Sequence, residues 1–112
     1  MNRNIFYFRG YYLEFFTAQT AEVQRKFNYT LQLIATIDMV PENYFKHISG
    51  TKGIYEISVE VQSNIYRVFS FFDEGNLIIL VNGFQKKTLK TPRKEIELAL
   101  RLRKEYYEEF KK

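Results

Sequence analysis

Residues 55–84 read YEISVEVQSNIYRVFSFFDEGNLIILVNGF, and this stretch decides the fold. Apolar and polar residues alternate from Tyr55 to Val61, a period of two that indicates a half-buried strand. Short polar turns separate this strand from two more, predicted at 65–72 and 77–84. Three successive strands joined in this way predict an antiparallel meander. The last of them is apolar on both faces, so we expect it to be a central strand covered on both sides.

The residues before the meander predict one strand and one long helix. Residues 5–8 form a short aromatic and β-branched run that ends near Gly10, which is typical of a strand. Residues 11–16 fit either a short helix or a continuation of that strand. Between Thr20 and Asp38 the apolar residues recur every three or four positions, which predicts a helix with one face on the core. Pro41 is then expected to open a short helix that runs through Phe45.

The residues after the meander predict a final helix. Pro92 suits its first turn, with Thr91 as the N-cap and Glu95 near the positive end of the helix dipole. The inner stripe of this helix is predicted to comprise Ile96, Ala99, Leu100, Arg103 and Tyr107. The whole pattern predicts an α+β fold with an N-terminal strand, helices, a three-stranded antiparallel meander in one twisted sheet, and a C-terminal helix. A length of 112 residues suits one domain, residues 1–112.

Composition excludes several classes of protein. Cysteine is absent, which rules out a disulfide framework, a thiol nucleophile and a cysteine-based metal site. The longest apolar run, residues 77–81, is far shorter than the roughly 18 residues of a membrane-spanning helix. The first residues lack the apolar region of a signal peptide. We therefore expect a cytoplasmic protein without membrane association.

Positive charge is concentrated in one segment. The chain has 17 Lys plus Arg and 13 Asp plus Glu. Five of the basic residues lie between positions 86 and 94, and without them the count is 12 against 13, a net charge of −1. These five are Lys86, Lys87, Lys90, Arg93 and Lys94. Such a local cluster is typical of a surface that binds a polyanion, because lysine and arginine release counterions when they neutralise phosphates.

Few other residues offer catalytic chemistry. The single histidine, His47, is expected at the end of the short helix, where packing or capping explains it better than catalysis. Gly50 to Gly53 is too short for a phosphate-binding loop and reads as a turn. Glu56 and Glu60 are four strand residues apart, about 13 Å, which is too far to share a metal ion. We therefore expect neither a metal nor a cofactor.

Arg67 is the exception, because it lies within an otherwise apolar strand. A buried, unpaired guanidinium is costly, so Arg67 must either pair with a carboxylate or open onto a polar cleft. Pairing through the turn at 62–64 puts Ser58 or Val59 opposite Arg67, with Glu56 diagonal to it. The residues alone leave open whether Arg67 and Glu56 form a purely structural pair.

The ordered motifs resemble a known group of proteins over nearly the whole chain. They are Pro41-Glu42-Asn43-Tyr44-Phe45-Lys46-His47-Ile48, Gly53-Ile54-Tyr55-Glu56-Ile57, Tyr66-Arg67-Val68-Phe69, Gly83-Phe84-Gln85-Lys86-Lys87-Thr88, Lys90-Thr91-Pro92 and Glu95-Ile96. In this order and at these spacings the chain resembles the RelE/ParE/HigB superfamily of type II toxins, and is most similar to its HigB-like, phage-derived branch.

The resemblance implies a bacterial toxin that cuts messenger RNA in the ribosomal A site by metal-independent attack of a 2′-hydroxyl on the adjacent phosphate. It implies that Arg67 grips that phosphate and that Lys86, Lys87 and Lys90 supply a general base and positive charge, with Lys87 and Lys90 expected to point into the cleft. Lys52, Tyr55, Arg93 and Lys94 are expected to contact RNA. The implied partners are a helix-turn-helix antitoxin and the ribosome-bound messenger.

Two features of the chain depart from that pattern. Ser58 stands where relatives often carry an arginine, and the C-terminal helix has no histidine. The departure at Ser58 removes a phosphate contact from the cleft. Two alternatives therefore stay open: a non-catalytic inhibitor of a host target such as gyrase, as in ParE-type relatives, and a degenerate toxin that retains only antitoxin binding.

Overall fold

The computed structural model describes residues 2–111 as one five-stranded sheet with helices on both faces. The elements are β1 (Asn4–Tyr7), α1 (Tyr11–Thr17), α2 (Ala21–Thr36), β2 (Phe45–His47), β3 (Tyr55–Val61), β4 (Asn64–Asp73), β5 (Leu77–Lys86) and α3 (Arg93–Phe110). The sheet order is β1-β5-β4-β3-β2, with β1 parallel to β5 and the other pairs antiparallel. The predicted α+β fold and its meander are confirmed, and residues 11–16 are helical. No helix within residues 2–111 is long and apolar enough to cross a membrane.

One face of the sheet, here the α1/α2 face, is covered by the first two helices. Thr20 caps α2 by accepting a hydrogen bond from the backbone amide of Val23 at 3.3 Å. The buried residues of α2 recur at helical spacing and meet alternate residues of the central strands. They are Val23, Phe27, Leu31 and Ile34 on the helix and Ile57, Val59, Val68, Ile78 and Leu80 on the strands. This layer confirms the long helix predicted between Thr20 and Asp38.

The opposite face, here the α3 face, carries a second aromatic core under the last helix. Ala99, Leu102 and Tyr106 of α3 are buried against Phe69, Phe71, Ile79 and Val81. The buried stripe predicted from the sequence is displaced by about one residue from the one observed. Two of its predicted members are not buried, Arg103 and Tyr107, and Tyr107 is 36% exposed. Thr91 was also wrong as the N-cap: Pro92 occupies that position and makes no side-chain cap. Strand β5 is covered on both faces, as expected, and lies between β1 and β4.

The short helix predicted after Pro41 does not form. Residues 42–44 make one turn, in which the amides of Tyr44 and Phe45 donate to the carbonyl of Pro41, and the chain then enters β2. Phe45 stacks on Tyr55 of the neighbouring strand with ring centroids 4.9 Å apart. Pairing of β2 with β3 satisfies backbone groups that a one-turn helix would leave free, so the edge strand is favoured.

A bulge interrupts the pairing of β4 with β5. Val68 pairs with Gly83 and Ser70 with Leu80, so two residues of β5, Val81 and Asn82, lie opposite Phe69 alone. Both point toward α3: Val81 belongs to its core, and Asn82 donates to the carbonyl of Glu95 at 3.1 Å. The extra residue reverses the alternation of every β5 side chain that follows it.

Gly83 is required just beyond the bulge because Phe15 of α1 lies against its backbone. A Cβ at position 83 would meet the Phe15 ring at 2.6 Å. Gly83→Ala is therefore expected to destabilise the fold by about 1–3 kcal/mol, the usual cost of overpacking a core. Denaturant unfolding measures this cost, with Gly10→Ala as the control because a Cβ at Gly10 meets nothing within 4 Å. Equal stabilities for the two variants would contradict the proposed clash.

Asp73 anchors the C-terminal end of α3 to the end of β4. It accepts hydrogen bonds from the Tyr106 hydroxyl at 2.6 Å and from the amide of Glu74 at 2.7 Å, and pairs with Lys111 Nζ at 3.1 Å. Burial opposes ionisation of Asp73, but the Tyr106, Glu74 and Lys111 contacts outweigh it, so its pKa is lowered. Burial and the Asp73 carboxylate raise the pKa of the Tyr106 phenol.

This anchor predicts a pH-dependent loss of stability. Because the pKa of Asp73 is lower in the folded protein, its contribution is complete above the unfolded pKa of about 3.9 and disappears as pH falls through the folded value. Asp73→Asn is expected to cost roughly 1.5–3 kcal/mol at pH 7 and much less at pH 2. Unfolding free energies measured across that range test this, with Glu74→Gln, whose side chain is 89% exposed, as the control. A difference between wild type and Asp73→Asn that is independent of pH would contradict the assignment.

Candidate nucleic-acid interface

Part of the α3 face is not covered by α3, and this part is called the open face below. It is formed by half-buried or exposed residues at the ends of three strands, namely Glu56, Ser58 and Glu60 of β3, Ile65 and Arg67 of β4, and Lys86 of β5. Partners in the antiparallel register share a face, which assigns all six to the side that carries Phe69. Polar and charged side chains predominate here, in contrast to the apolar core under α3.

Arg67 lies at the centre of the open face and is bound by two groups of β3. Its Nη1 donates to Glu56 Oε1 at 3.0 Å and to the Ser58 hydroxyl. The arginine and glutamate side chains are 16% and 13% exposed, so solvent screens this ion pair only in part. Of the two residues expected opposite Arg67, the structure has Ser58 and not Val59, and Glu56 is diagonal to Arg67 as expected. Arg67 therefore satisfies both sequence alternatives: it pairs with a carboxylate and also lines a polar cleft.

The guanidinium of Arg67 keeps unused donors. Within residues 2–111 both of its hydrogen bonds are made through Nη1, which leaves the donors of Nη2, whereas Nε is buried without a partner and is not accessible from the cleft. A guanidinium can present two parallel donors to a phosphate or carboxylate. Arg67 can thus hold an anion while it remains attached to β3.

A groove of about 480 Å³ opens beside Arg67, between β3 and α2. Its charged residues are three cations, Lys26, Lys46 and Arg67, and three carboxylates, Glu42, Glu56 and Glu60. The groove is therefore electrically balanced. The groove places proton acceptors next to cations, an arrangement that suits acid–base catalysis better than the binding of an anion alone.

Four charged residues form a diagonal line across the sheet. Lys46 of β2 lies opposite Glu56, Glu56 is diagonal to Arg67, and Arg67 is diagonal to Lys86, which lies two positions beyond its partner Phe84. Diagonal neighbours in a sheet are separated by about 7–8 Å between Cα atoms, within reach of long side chains. The line brings one carboxylate and three cations to the same surface.

The register reverses the expected orientation of the lysines. Lys86 pairs with Ile65 and so shares the open face with Arg67, whereas Lys87 lies beyond the end of β5 and is exposed. The prediction that Lys87 and Lys90 form the inward pair assumed a regular strand, and the bulge at Val81 and Asn82 invalidates that assumption. Lys90 is exposed in the following loop, where its carbonyl accepts a hydrogen bond from Thr88.

The remaining candidates are divided between two regions. Arg93 and Lys94 are exposed at the start of α3, close in sequence to Lys90, and Arg93 Nε pairs with Glu97 at 3.2 Å. Tyr55 instead lies on the α1/α2 face, stacked on Phe45. Lys52 lies beside the middle and end of α3, away from Arg67. The structure thus brings Arg67 and Lys86 together, with the basic loop next to them, and separates Tyr55 and Lys52 from both.

Glu56 and Lys46 are site residues that the sequence interpretation did not select. Glu56 was considered as a structural partner of Arg67 and rejected as a metal ligand, although the turn at 62–64 already brought it near Arg67. Lys46 gave no signal, because its segment was interpreted as a helix rather than a strand. His47 lies on the opposite side of β2 and packs edge-on against Tyr55 with ring centroids 5.3 Å apart, in agreement with a packing role.

No group of three or more histidine, aspartate or glutamate side chains within residues 2–111 is arranged to hold a metal ion. The fold and site define a small α+β protein with an arginine–carboxylate pair on an open sheet face, beside a basic segment. Residues 14–104, which are 91 of the 112, match the family described as phage derived protein Gp49-like (DUF891). The chain therefore belongs to this family of phage-derived proteins. No curated protein matches the chain significantly.

Proposed function

We propose that this protein is the toxin of a type II toxin–antitoxin pair of the RelE/HigB kind and cleaves messenger RNA in the ribosomal A site. The observation that carries the proposal is the line of Glu56, Arg67 and Lys86 on the open face, which combines a proton acceptor with two cations. The phage-derived family and the basic loop from Lys86 to Lys94 add support. A helix-turn-helix antitoxin is the proposed partner, and the proposed compartment is the bacterial cytoplasm.

In the proposed reaction Arg67 holds the phosphate to be cleaved. Its guanidinium, already oriented by Glu56 and Ser58, donates to the non-bridging oxygens and stabilises the negative charge of the phosphorane. The site needs little rearrangement to do this, because the arginine is held on a strand by two contacts. Preorganised hydrogen-bond donors of this kind make the largest contribution to the rate enhancement of many enzymes.

Glu56 is the proposed general base and Lys86 the proposed general acid. An ionised carboxylate accepts a proton, whereas an ammonium group donates one, so the two residues suit opposite ends of the reaction. Glu56 takes the proton of the ribose 2′-hydroxyl, and the 2′-oxygen forms a bond to phosphorus. The bond from phosphorus to the 5′-oxygen breaks, and Lys86 protonates that leaving oxygen. The products are a 2′,3′-cyclic phosphate and a 5′-hydroxyl end, and the proposed reaction uses no metal.

Induction of the protein in bacteria, followed by mapping of messenger RNA 5′ ends, tests this proposal. We expect new 5′-hydroxyl ends within translated reading frames in cells that express the wild type and far fewer in cells that express Arg67→Ala. Blocking translation initiation should abolish them, because the proposed cleavage requires the ribosome. Growth arrest with intact messages would overturn the proposal.

A second candidate is a toxin-like protein that binds its target without cutting. The observation that favours it is that Ser58, where relatives often have an arginine, occupies Arg67 together with Glu56. Growth arrest that depends on Arg67, without cleaved messages, would support this candidate. If the wild type causes neither growth arrest nor messenger cleavage but still binds the antitoxin, the protein is a degenerate toxin.

A further inference from the structure

A second groove, of about 600 Å³, lies between α3 and the loop that joins β2 to β3. Four basic residues line it, namely Lys52 of the loop, Arg103 and Lys104 of α3, and Lys111 just after α3, together with the acidic residue Glu108. Leu100 and Tyr107 supply its apolar part. The loop packs against α3 at Gly53: Arg103 Nη1 lies 3.6 Å from the position that a Cβ would occupy, which is an ordinary contact distance.

The charges of α3 are sorted between its two sides. Glu105 and Glu109 face Arg9, with oxygen–nitrogen distances of 3.6 and 3.5 Å, and Glu105 also pairs with Arg101. On the groove side, Lys111 is held by Asp73 and Glu74. Lys52, Arg103 and Lys104 form no salt bridge within residues 2–111. The groove therefore keeps positive charge that the protein itself does not neutralise.

The groove is connected to the open face through β3. The loop that carries Lys52 leads directly into this strand, which brings Glu56 and Ser58 to Arg67. Ile54, directly before β3, is four positions from Ser58, about 13 Å in an extended chain, and Lys52 is two positions further along the chain from Ser58. A single phosphate therefore cannot contact the groove and the open face at once, whereas an extended polyanion can contact both.

We propose that this groove binds the sugar-phosphate backbone of RNA, at a phosphate distinct from the one at Arg67. The identification of RNA as the ligand rests on the proposed function. Lysine and arginine side chains without an acidic partner bind phosphates regardless of base sequence. The exposed ring of Tyr107 offers a surface on which a base can stack. The groove thus increases the affinity for RNA and orients the RNA strand, while cleavage takes place at the open face.

A binding measurement separates this inference from the cleavage proposal. The probe is a fluorescent single-stranded RNA with 2′-O-methyl riboses, which cannot react through a 2′-hydroxyl. The test variant is Lys52→Gln/Lys104→Gln, and the control is Arg25→Gln/Arg101→Gln, which removes the same charge from exposed positions outside the groove. Thermal unfolding of both variants checks that the fold is retained.

The salt dependence of RNA binding gives the expected result. Loss of two phosphate contacts should reduce the slope of log affinity against log salt by about 1.4, relative to the control. Between 50 and 200 mM salt the wild type should therefore lose about sevenfold more affinity than the groove variant.

Each other outcome has a stated meaning. Equal slopes for the groove variant and the control would overturn the inference, as would the absence of RNA binding by the wild type. Tighter binding of polyglutamate of equal charge than of RNA would identify a protein contact instead and would overturn it too. A reduced slope in a protein that produces no new messenger ends would leave the groove assignment intact while the cleavage proposal fails.

Discussion

Substitution of Arg67 by alanine is expected to lower the rate of messenger RNA cleavage by about 100- to 1000-fold. The guanidinium is the cation best positioned to stabilise charge on the scissile phosphate, since it lies between Glu56 and Lys86 on the open face. Its removal leaves only an ammonium group near the reacting phosphate. Single-turnover cleavage of a messenger on programmed ribosomes measures the effect.

The comparison with lysine isolates the geometry from the charge. Arg67→Lys retains the positive charge but lacks the planar pair of donors, so we expect a rate between those of the wild type and Arg67→Ala. Arg25→Ala, on the exposed side of α2, is the matched control and should cleave at the wild-type rate. If Arg67→Ala cleaves as fast as this control, Arg67 has no role in the reaction.

Stability must be measured with the same proteins. Glu56 is only 13% exposed, and removal of its partner leaves a carboxylate that is largely desolvated and unpaired. A destabilisation of about 3–5 kcal/mol is typical when one member of a buried pair is removed. Assays at a temperature at which the variant remains folded therefore separate a lost phosphate contact from a lost structure.

Most of the fold could be predicted from sequence patterns within single strands and helices. The alternation from Tyr55 to Val61, the helical spacing before Asp38 and the turn residues at 62–64 each depend on neighbours in sequence. They predicted the meander and the long helix, which the structure confirms, and narrowed the partner of Arg67 to Ser58 or Val59, of which the structure has Ser58. Local patterns sufficed because the register of a hairpin follows from its turn.

The orientation of the lysines required information that a strand pattern does not carry. A regular strand would have turned Lys87 toward the face of Arg67, but the bulge opposite Phe69 shifts the alternation by one residue and turns Lys86 there instead. Gly83 within an apolar run was the available signal, because glycine inside a strand often marks a bulge or a close backbone approach. Here it marks both.

Tertiary partners decided the other differences. Tyr106 rather than Tyr107 faces the core because its hydroxyl reaches Asp73 at 2.6 Å, a contact between residues 33 positions apart. Phe45 joins a strand rather than a helix because its ring finds Tyr55 and Phe72 on the sheet. Neither partner could be identified from local spacing, since both depend on how distant segments meet.

Glu56→Gln should cause the second large loss, a reduction of cleavage by about 100- to 10,000-fold. Glutamine preserves the size of the side chain and can still accept a hydrogen bond from Arg67, so the site should keep its shape. It cannot accept the proton of the 2′-hydroxyl. The acid limb of the pH–rate profile, which reports ionisation of the general base, should therefore disappear in this variant.

Glu60→Gln is the matched control, because Glu60 lies on the same face of β3, about 13 Å further along, and is exposed. It should retain the wild-type rate and the same pH–rate profile. If Glu56→Gln instead keeps the acid limb and loses only a few-fold in rate, the base is another group, and Glu56 serves to position Arg67. Rapid cleavage by Arg67→Ala together with slow cleavage by Glu56→Gln would assign catalysis to the carboxylate alone.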